Sequence, residues 1–259
     1  MGLQLKKPII FAYISTILLF CSLLGCHREK QPPSETSSYS SEPSQTPPTS
    51  PTPTLKSRTI HTSAQVSAVA SRPIVAIHGL GDTPSHFSQI FDAAPFSAVV
   101  ILPQAPTPYG TGYSWFPVAI PVRSANSTAL KKDVLSAANQ LCAFIHESNF
   151  EKKPVITGFS QGGILAFSTA VTCPSDIHAS IPVAGFLPLT IPDSLRDIPP
   201  ITAFHGTEDG IIESVKARES IAQLQQRGFH AKLVEYPNVG HTISPDMQQE
   251  LMRTLGSYL

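Results

Sequence analysis

The feature that most restricts the fold of this chain is the pentapeptide Gly-Phe-Ser-Gln-Gly at residues 158–162. An apolar run at 154–157 precedes it, and a segment suited to a helix begins at Gly163. A G-x-S-x-G sequence between a strand and a helix forms a sharp turn in which the serine takes a strained backbone conformation. Glycine at both ends lets neighbouring backbone approach closely, because it has no Cβ. The motif therefore predicts a strand–turn–helix unit with the Ser160 hydroxyl exposed at the end of the strand.

The rest of the chain alternates between aliphatic or β-branched runs and amphipathic segments. Strands are predicted at 73–78, 97–102, 153–158, 179–184, 200–205 and 231–236. Helices are predicted at 127–147, 161–173, 211–227 and 245–258. This alternation favours the α/β class, with a mostly parallel central sheet, helices on both of its faces and no large cap domain. Residues 59–69 are a further candidate for an edge strand.

Asp209 and His241 are the residues that could activate Ser160 as a nucleophile. A serine needs a base to take its proton and a third group to orient that base. Asp209 follows the predicted strand 200–205, and His241 follows the predicted strand 231–236. Open α/β sheets build their sites at the carboxyl ends of the strands, so these side chains are expected to meet near Ser160. The three residues are therefore the candidate catalytic residues.

Each of these candidates has a simpler structural interpretation. Ser160 could be a surface turn serine, Asp209 could be the N-cap of the helix that follows it, and His241 could be a solvated loop histidine. Glu208 competes with Asp209 for the role of the acid. His205 directly follows a predicted strand and is expected to support its loop rather than to take part in chemistry.

A second glycine-rich stretch, His-Gly-Leu-Gly-Asp at residues 78–82, follows the apolar run 73–77. Glycines at the end of a strand expose backbone N–H groups, and an oxyanion hole combines such a donor with the N–H that follows the nucleophile. The backbone N–H groups of Leu80 and Gln161 are therefore the candidate oxyanion donors. The stretch could equally be an ordinary glycine-rich turn. It lacks both the G-x-G-x-x-G spacing and a following Walker lysine, so no nucleotide site is predicted.

Six motifs occur in an order that resembles a known family. They are HGLGD at 78–82, LPQAP at 102–106, SWF at 114–116, GFSQGG at 158–163, HG with Asp209 at 205–209, and GH at 240–241. Over about residues 73–259 the chain resembles the phospholipase/carboxylesterase family of α/β hydrolases, which includes acyl-protein thioesterases and small bacterial carboxylesterases. The resemblance implies an α/β-hydrolase fold, a small-molecule ester or thioester as the substrate, and hydrolysis that needs no metal and no cofactor.

The same resemblance assigns roles to individual residues. It implies that Ser160 is the nucleophile, Asp209 the acid and His241 the base, and that Leu80 and Gln161 supply the oxyanion donors. The expected activity is hydrolysis of carboxylic esters through an acyl-enzyme intermediate. An acyl thioesterase or a lysophospholipase is the alternative within enzymes, and a non-catalytic binding lipoprotein on the same fold is the alternative outside them.

Two positions depart from the family pattern. Gln104 stands where some members carry histidine, and Pro117 stands where members often carry aspartate. Both positions lie in the region expected to border the acyl-binding groove. The departures therefore concern the identity of the substrate rather than the chemistry.

Residues 1–25 have the pattern of a secretory signal, because Lys6 and Lys7 precede a long apolar run. The run ends in Leu-Leu-Gly at 23–25, and Cys26 follows directly, which resembles the lipobox of bacterial lipoproteins. The resemblance implies that the Cys26 thiol carries a diacylglycerol, which would anchor the chain to a bacterial membrane in the cell envelope, outside the cytoplasm. An uncleaved transmembrane anchor is the alternative, since the run is nearly long enough to span a bilayer.

The composition changes after the predicted signal. Residues 26–71 are rich in Pro, Ser and Thr and poor in large apolar side chains, so they are predicted to be a flexible linker. Residues 72–259 are long enough for one good core and are predicted to be the catalytic domain. The formal net charge is zero and no basic patch is present in the sequence, so a nucleic-acid partner is not expected. Cys142 and Cys173 could form a disulfide outside the cytoplasm or remain two buried thiols.

Overall fold

A computed structural model describes residues 55–62, 72–117 and 127–259 of the protein. The predicted signal sequence at 1–25, the lipidation candidate Cys26 and most of the predicted linker lie outside the described residues. Among the helices of the described part, none combines the length and the apolar character that crossing a membrane requires.

The described residues contain nine strands and five α-helices. The strands are β1 (Ser57–His61), β2 (Ile74–Ile77), β3 (Val99–Pro103), β4 (Thr107–Tyr109), β5 (Gly112–Ser114), β6 (Val155–Phe159), β7 (Ala179–Val183), β8 (Ile201–Gly206) and β9 (Ala231–Tyr236). The helices are α1 (Pro84–Phe87), α2 (Thr128–Glu147), α3 (Gln161–Thr172), α4 (Ser214–Gln226) and α5 (Pro245–Gly256). Short 3₁₀ helices follow α1 at Ser88–Phe91 and α3 at Pro174–Asp176.

Seven of the strands form one sheet in the order β1-β3-β2-β6-β7-β8-β9. Strand β1 is antiparallel to β3, and every other neighbouring pair in this sheet is parallel. Strands β4 and β5 form a separate antiparallel hairpin. The predicted mostly parallel sheet is therefore confirmed. Its parallel strands all end at one edge, where the loops carrying the candidate site residues begin.

Side chains on both faces of the central strands β2, β6, β7 and β8 are buried, because helices cover each face of the sheet. Within β2, Val75 and Ile77 belong to a core shared with α2, α3 and α4. The alternate residues Ile74 and Ala76 belong to a core shared with α1 and α5. The predicted apolar stripe of α2 is buried, and it consists of Leu130, Val134, Ala138, Leu141 and Ile145. A near-continuous apolar strand is what a parallel sheet covered on two faces requires.

Strand β1 begins earlier in the chain than the predicted catalytic domain. Residues 57–61 lie inside the range 26–71 for which the sequence predicts a linker, yet they pair with all of β3. Thr62 fastens the end of the strand, because its hydroxyl donates to the Phe96 carbonyl and accepts from the Ala98 N–H. The predicted boundary at residue 72 is therefore too late. The edge strand predicted at 59–69 is found at Ser57–His61, and its later part lies outside the described residues.

The two cysteines that the sequence left open form a disulfide. Cys142 on α2 is bonded to Cys173 at the end of α3, with 6.0 Å between their Cα atoms. The bond joins two helices that pack on the same face of the sheet. It therefore links α3, which begins directly after Ser160, to the longest helix of the described residues.

Candidate active site

Ser160 stands at the turn between β6 and α3 with a backbone conformation that few non-glycine residues adopt. Its φ is 59° and its ψ is −115°. Its N–H donates to the Val183 carbonyl at 3.0 Å, which fastens the turn to β7. The Ser160 side chain is partly exposed, whereas residues on both sides of it are buried. A strained backbone of this kind persists where the surrounding structure enforces it, and such residues cluster at active sites.

Two glycines make the turn possible. A Cβ at Gly162 would overlap the carbonyl of Ile77 on β2, and a Cβ at Gly158 would overlap the carbonyl of Gly162. Backbone therefore occupies the space that any other residue would fill at these two positions. The predicted strand–turn–helix unit, with close backbone contacts at both glycines, is found as expected.

His241 lies in the loop after β9 and contacts both other candidates. Its Nε2 is 2.9 Å from the Ser160 Oγ, and its Nδ1 is 2.7 Å from Oδ2 of Asp209. The ionised carboxylate can only accept, so Nδ1 carries the hydrogen and Nε2 is free to accept from the serine hydroxyl. The ring also lies against Phe159, with 4.9 Å between ring centroids. The histidine is thus held in the tautomer that a general base needs.

Asp209 is fully enclosed in the loop between β8 and α4. Its Oδ1 accepts the backbone N–H groups of Ile211 and Ile212, each at 2.9 Å. Burial by itself would raise the pKa of this carboxyl, but the hydrogen bonds from His205 and His241, the charge of His241 and the N–H of Ile212 together lower its pKa well below the ordinary value. The side chain is therefore an anion at neutral pH.

The two candidates for the acid, Asp209 and Glu208, differ in their contacts. Asp209 does not cap α4, because that helix begins only at Ser214 and the Asp209 carboxylate binds the loop before it. The helix begins at Ser214, three residues later than the predicted residue 211. Glu208 is exposed, and the residue in contact with His241 is Asp209.

The glycine-rich loop after β2 passes directly beside Ser160. A Cβ placed on Gly79 would lie 3.5 Å from the Cβ of Ser160, so Leu80 follows at the rim of the same site. Gln161 opens α3, and the N–H groups in the first turn of a helix have no acceptor within that helix. The structure thus brings the two candidate oxyanion segments next to the serine.

The sequence matches a family model over most of the chain. Residues 62–258 match the family described as Phospholipase/Carboxylesterase. The chain belongs to this family.

Two curated relatives and one solved structure illustrate the membership in the phospholipase/carboxylesterase family. A probable carboxylesterase of rice (Oryza sativa subsp. japonica) is 29% identical over 191 residues, which cover 66% of this chain and 81% of the relative. Acyl-protein thioesterase 1 of Gibberella zeae is 25% identical over 207 residues, which cover 69% of this chain and 86% of the relative. The crystal structure of esterase PE8 has a TM-score of 0.67 at 24% identity and covers 80% of this chain and 100% of that chain. These likenesses agree with the α/β-hydrolase fold of the sheet.

In this member of the phospholipase/carboxylesterase family, the Gln161 side chain has a function that sequence reasoning missed. It is buried, and its Nε2 donates to the Phe116 carbonyl at 2.8 Å. Its Oε1 accepts the Trp115 N–H at 3.0 Å and lies 3.4 Å from the Ser114 hydroxyl. The side chain therefore fixes residues 114–116 against the start of α3. The Ser-Trp-Phe motif at 114–116 was the only sequence signal for this contact, and it does not identify Gln161 as the partner.

His78 ties the glycine-rich loop at 78–82 to the loop after β3. The ring is fully buried, its Nδ1–H donates to the Gly79 carbonyl at 2.8 Å, and its Nε2 accepts the Ala105 N–H at 3.1 Å. Burial lowers the pKa of His78, against the opposing effects of the Gly79 hydrogen bond and of Asp82. The Trp115 Nε1–H donates to the His78 carbonyl at 3.0 Å. The neutral imidazole thus holds the loop that contains Leu80 in place.

Within residues 55–62, 72–117 and 127–259, no group of three or more His, Cys, Asp or Glu side chains is arranged to hold a metal ion. The ionisable residues of the site are instead used for hydrogen bonds to one another, as the contacts of Asp209 show. The arrangement can supply a nucleophile, a base, an orienting anion and backbone donors. Those are the components of acyl transfer.

Proposed function

We propose that this chain is a serine hydrolase that cleaves carboxylic esters through Ser160, His241 and Asp209. One observation carries the proposal: a continuous series of hydrogen bonds runs from the Ser160 Oγ to His241 Nε2 at 2.9 Å and from His241 Nδ1 to Asp209 at 2.7 Å. The serine stands on a strained turn, as an activated nucleophile does in this fold class. Membership in the phospholipase/carboxylesterase family supports the same activity.

In the proposed reaction His241 removes the hydroxyl proton of Ser160 as the Oγ attacks the acyl carbonyl. The backbone N–H groups of Leu80 and Gln161 stabilise the oxyanion of the tetrahedral intermediate, and Asp209 stabilises the charged imidazole. The C–O bond to the leaving alcohol then breaks, and His241 returns the proton to that alcohol. In the second half His241 takes a proton from water, which attacks the acyl-enzyme, and the acid leaves with Ser160 regenerated.

The test is Ser160→Ala on p-nitrophenyl butyrate. We expect turnover to fall by at least about 10⁴-fold, because the nucleophile is lost, with circular dichroism unchanged. A fluorophosphonate probe should label the unaltered protein and fail to label the variant. Turnover retained by Ser160→Ala would end the proposal. An unlabelled, inactive but folded protein would instead favour a binding module on the same fold.

Thioester hydrolysis, or lysophospholipid hydrolysis on long acyl chains, is the second candidate. It is favoured by the similarity to a relative that bears the name acyl-protein thioesterase 1. Esters and thioesters share an acyl carbonyl, so the same residues would act on both. A series of p-nitrophenyl esters and acyl thioesters of matched chain length separates the candidates. A kcat/KM at least tenfold higher for long thioesters than for the matched esters would support a thioesterase.

We further propose that the protein is a lipoprotein of the bacterial cell envelope, anchored to the membrane at Cys26 and exposed outside the cytoplasm. The sequence Leu-Leu-Gly-Cys at 23–26 after an apolar run supports the anchor. The disulfide between Cys142 and Cys173 supports an oxidising compartment. In cells fed an alkyne-labelled fatty acid, the full chain should take up the label and pellet with membranes, whereas Cys26→Ser should remain unlabelled. Equal labelling of both would refute the anchor.

A further inference from the structure

His205 is a buried histidine that the reaction proposed above leaves without a role. It lies near the end of β8, and its ring is fully enclosed. Its polar contacts among the described residues do not include Ser160. Its contacts are instead with the loop that carries the acid, which makes it a candidate for positioning rather than for direct chemistry.

The Nε2 of His205 is shared between two acceptors. It lies 2.8 Å from the Ile212 carbonyl and 3.2 Å from Oδ2 of Asp209. Both of these oxygens only accept, so Nε2 carries the hydrogen. Its Nδ1 is buried and has no hydrogen-bond partner among the described residues. An enclosed Nδ1 without an acceptor favours the tautomer whose hydrogen is on Nε2, where the ring can donate to Asp209.

The oxygen that His205 contacts is the oxygen that orients the base. Oδ2 of Asp209 also receives the Nδ1–H of His241 at 2.7 Å. The other carboxylate oxygen is held by two backbone N–H groups of the same loop. Of the donors to Asp209 in the described part of the chain, only His205 lies on a strand of the central sheet. It therefore connects strand β8 directly to the carboxylate, whereas the two backbone N–H groups belong to the same loop as Asp209.

We propose that His205 is a positioning residue for the proposed reaction: its Nε2–H fixes Oδ2 of Asp209 where that oxygen can orient His241. The inference rests on the proposed function, since it assigns a task to a group that acts through Asp209. The hydrogen bond also stabilises the anionic form of Asp209, so its loss makes the carboxylate a stronger acceptor for the charged His241. The acid limb of the activity profile then moves to higher pH.

Among the charged groups near His205, the carboxylate that contacts its Nε2 is that of Asp209. Glu235 is the register neighbour of His205 on β9, but its carboxylate is bound by Arg218 of α4 at 2.7 Å. Glu208 is exposed in the loop after β8. His241 faces the same carboxylate oxygen from the loop after β9. A change at His205 is therefore transmitted to His241 through Asp209.

The test compares His205→Gln with His205→Met in the full-length chain. The two replacements have nearly the same length and shape, and both remove the ring, but only glutamine retains an N–H donor. We expect kcat for p-nitrophenyl butyrate to be about tenfold lower in the methionine variant than in the glutamine variant, with KM within about twofold. The acid limb of kcat/KM should lie at higher pH for methionine than for glutamine. Thermal unfolding of both variants reports any shared loss of stability.

Three results are distinguishable. Equal kcat and equal acid limbs in the two variants would overturn the inference and leave His205 as a packing residue. A lower kcat in the methionine variant together with the shifted acid limb would support it, even where both variants unfold at a lower temperature than the parent. Ser160→Ala, assayed beside them, identifies the separate case in which the proposed function itself fails, because turnover would then survive the loss of the nucleophile.

Discussion

Asp209 joins the loops that follow β8 and β9. Its carboxylate accepts two backbone N–H groups of its own loop, the Nε2–H of His205 and the Nδ1–H of His241. Four donors around one enclosed carboxylate fix both its charge and its orientation. The consequence for chemistry is that the His241 ring has a single tautomer in which Nε2 can accept a proton from Ser160.

Replacing the acid by its amide tests that consequence. In Asp209→Asn the side-chain NH₂ is a donor and faces His241 Nδ1, which must then accept. The hydrogen of the His241 ring therefore moves to Nε2. We expect kcat to fall about 10³- to 10⁴-fold, because Nε2 can then no longer accept the serine proton. Steady-state kinetics on p-nitrophenyl butyrate measure the loss. Glu208→Gln, one residue away and exposed, should stay within about twofold of the parent; equal losses in the two variants would contradict the assignment of the acid.

The three residues Ser160, Asp209 and His241 could be predicted because each follows a strand that the sequence reveals. Parallel strands end at one edge, so order along the chain is enough to bring their loops together. The side-chain contacts of Gln161 and His78 could not be predicted, because their partners lie on loops of irregular structure. Gln161 and Trp115 are 46 positions apart. No periodic pattern in either segment indicates that they meet.

The hairpin of β4 and β5 supports the glycine-rich loop at 78–82. The Gly81 N–H donates to the Tyr113 carbonyl at 2.8 Å, and the Tyr113 N–H donates to the Asp82 carbonyl at 3.0 Å. The hairpin is short and exposed along β4, so it lacks the apolar alternation by which strands are recognised in sequences. Gln161 then fixes the residues after the hairpin to α3. The positions of the backbone N–H groups beside Ser160 therefore depend on this hairpin and on the Gln161 side chain.

Gln161→Met should loosen this support while leaving the backbone N–H of residue 161 in place. The change removes the hydrogen bonds to Phe116 and Trp115. It leaves the Trp115 N–H unpaired, which costs about 1–3 kcal/mol, whereas the Phe116 carbonyl keeps the Ser114 hydroxyl as a donor. We expect a lower free energy of unfolding, a changed emission of Trp115, which is the single tryptophan of the chain, and a reduced kcat. Urea titration, fluorescence and kinetics measure these effects.

Gln248→Met is the matched control for that experiment. Gln248 on α5 also donates its side-chain N–H to a backbone carbonyl, that of Ile90, at 2.8 Å. Its loss should lower stability without altering kcat or the tryptophan emission. A kcat that falls equally in both variants would show that Gln161 supports the fold in general and not the site.

An edge strand and a disulfide add to the contacts that hold the domain together. At one edge of the sheet β1 pairs with β3, although its residues lie inside the range 26–71 for which the sequence predicts a linker. Composition averaged over a long window therefore put the domain boundary too late, although the edge-strand candidate at 59–69 overlapped this strand. On the face shared by α2, α3 and α4, the disulfide adds a covalent link to the apolar core. The sequence showed that two cysteines were available, but distance in space decides whether they bond.

Removing the disulfide should lower stability without affecting the chemistry. Cys142 and Cys173 are 31 positions apart, and a cross-link that closes a loop of this length stabilises a protein by about 3–4 kcal/mol, chiefly by restricting the unfolded chain. In the Cys142→Ala/Cys173→Ala variant we expect the free energy of unfolding in urea to fall by about that amount. The kcat at 25 °C should remain within about twofold, because neither sulfur contacts Ser160, Asp209 or His241. Reductant should destabilise the parent and leave the variant unaffected. If reductant changed neither protein, the bond would contribute nothing to stability, and the link between α2 and α3 would rest on their apolar contacts alone.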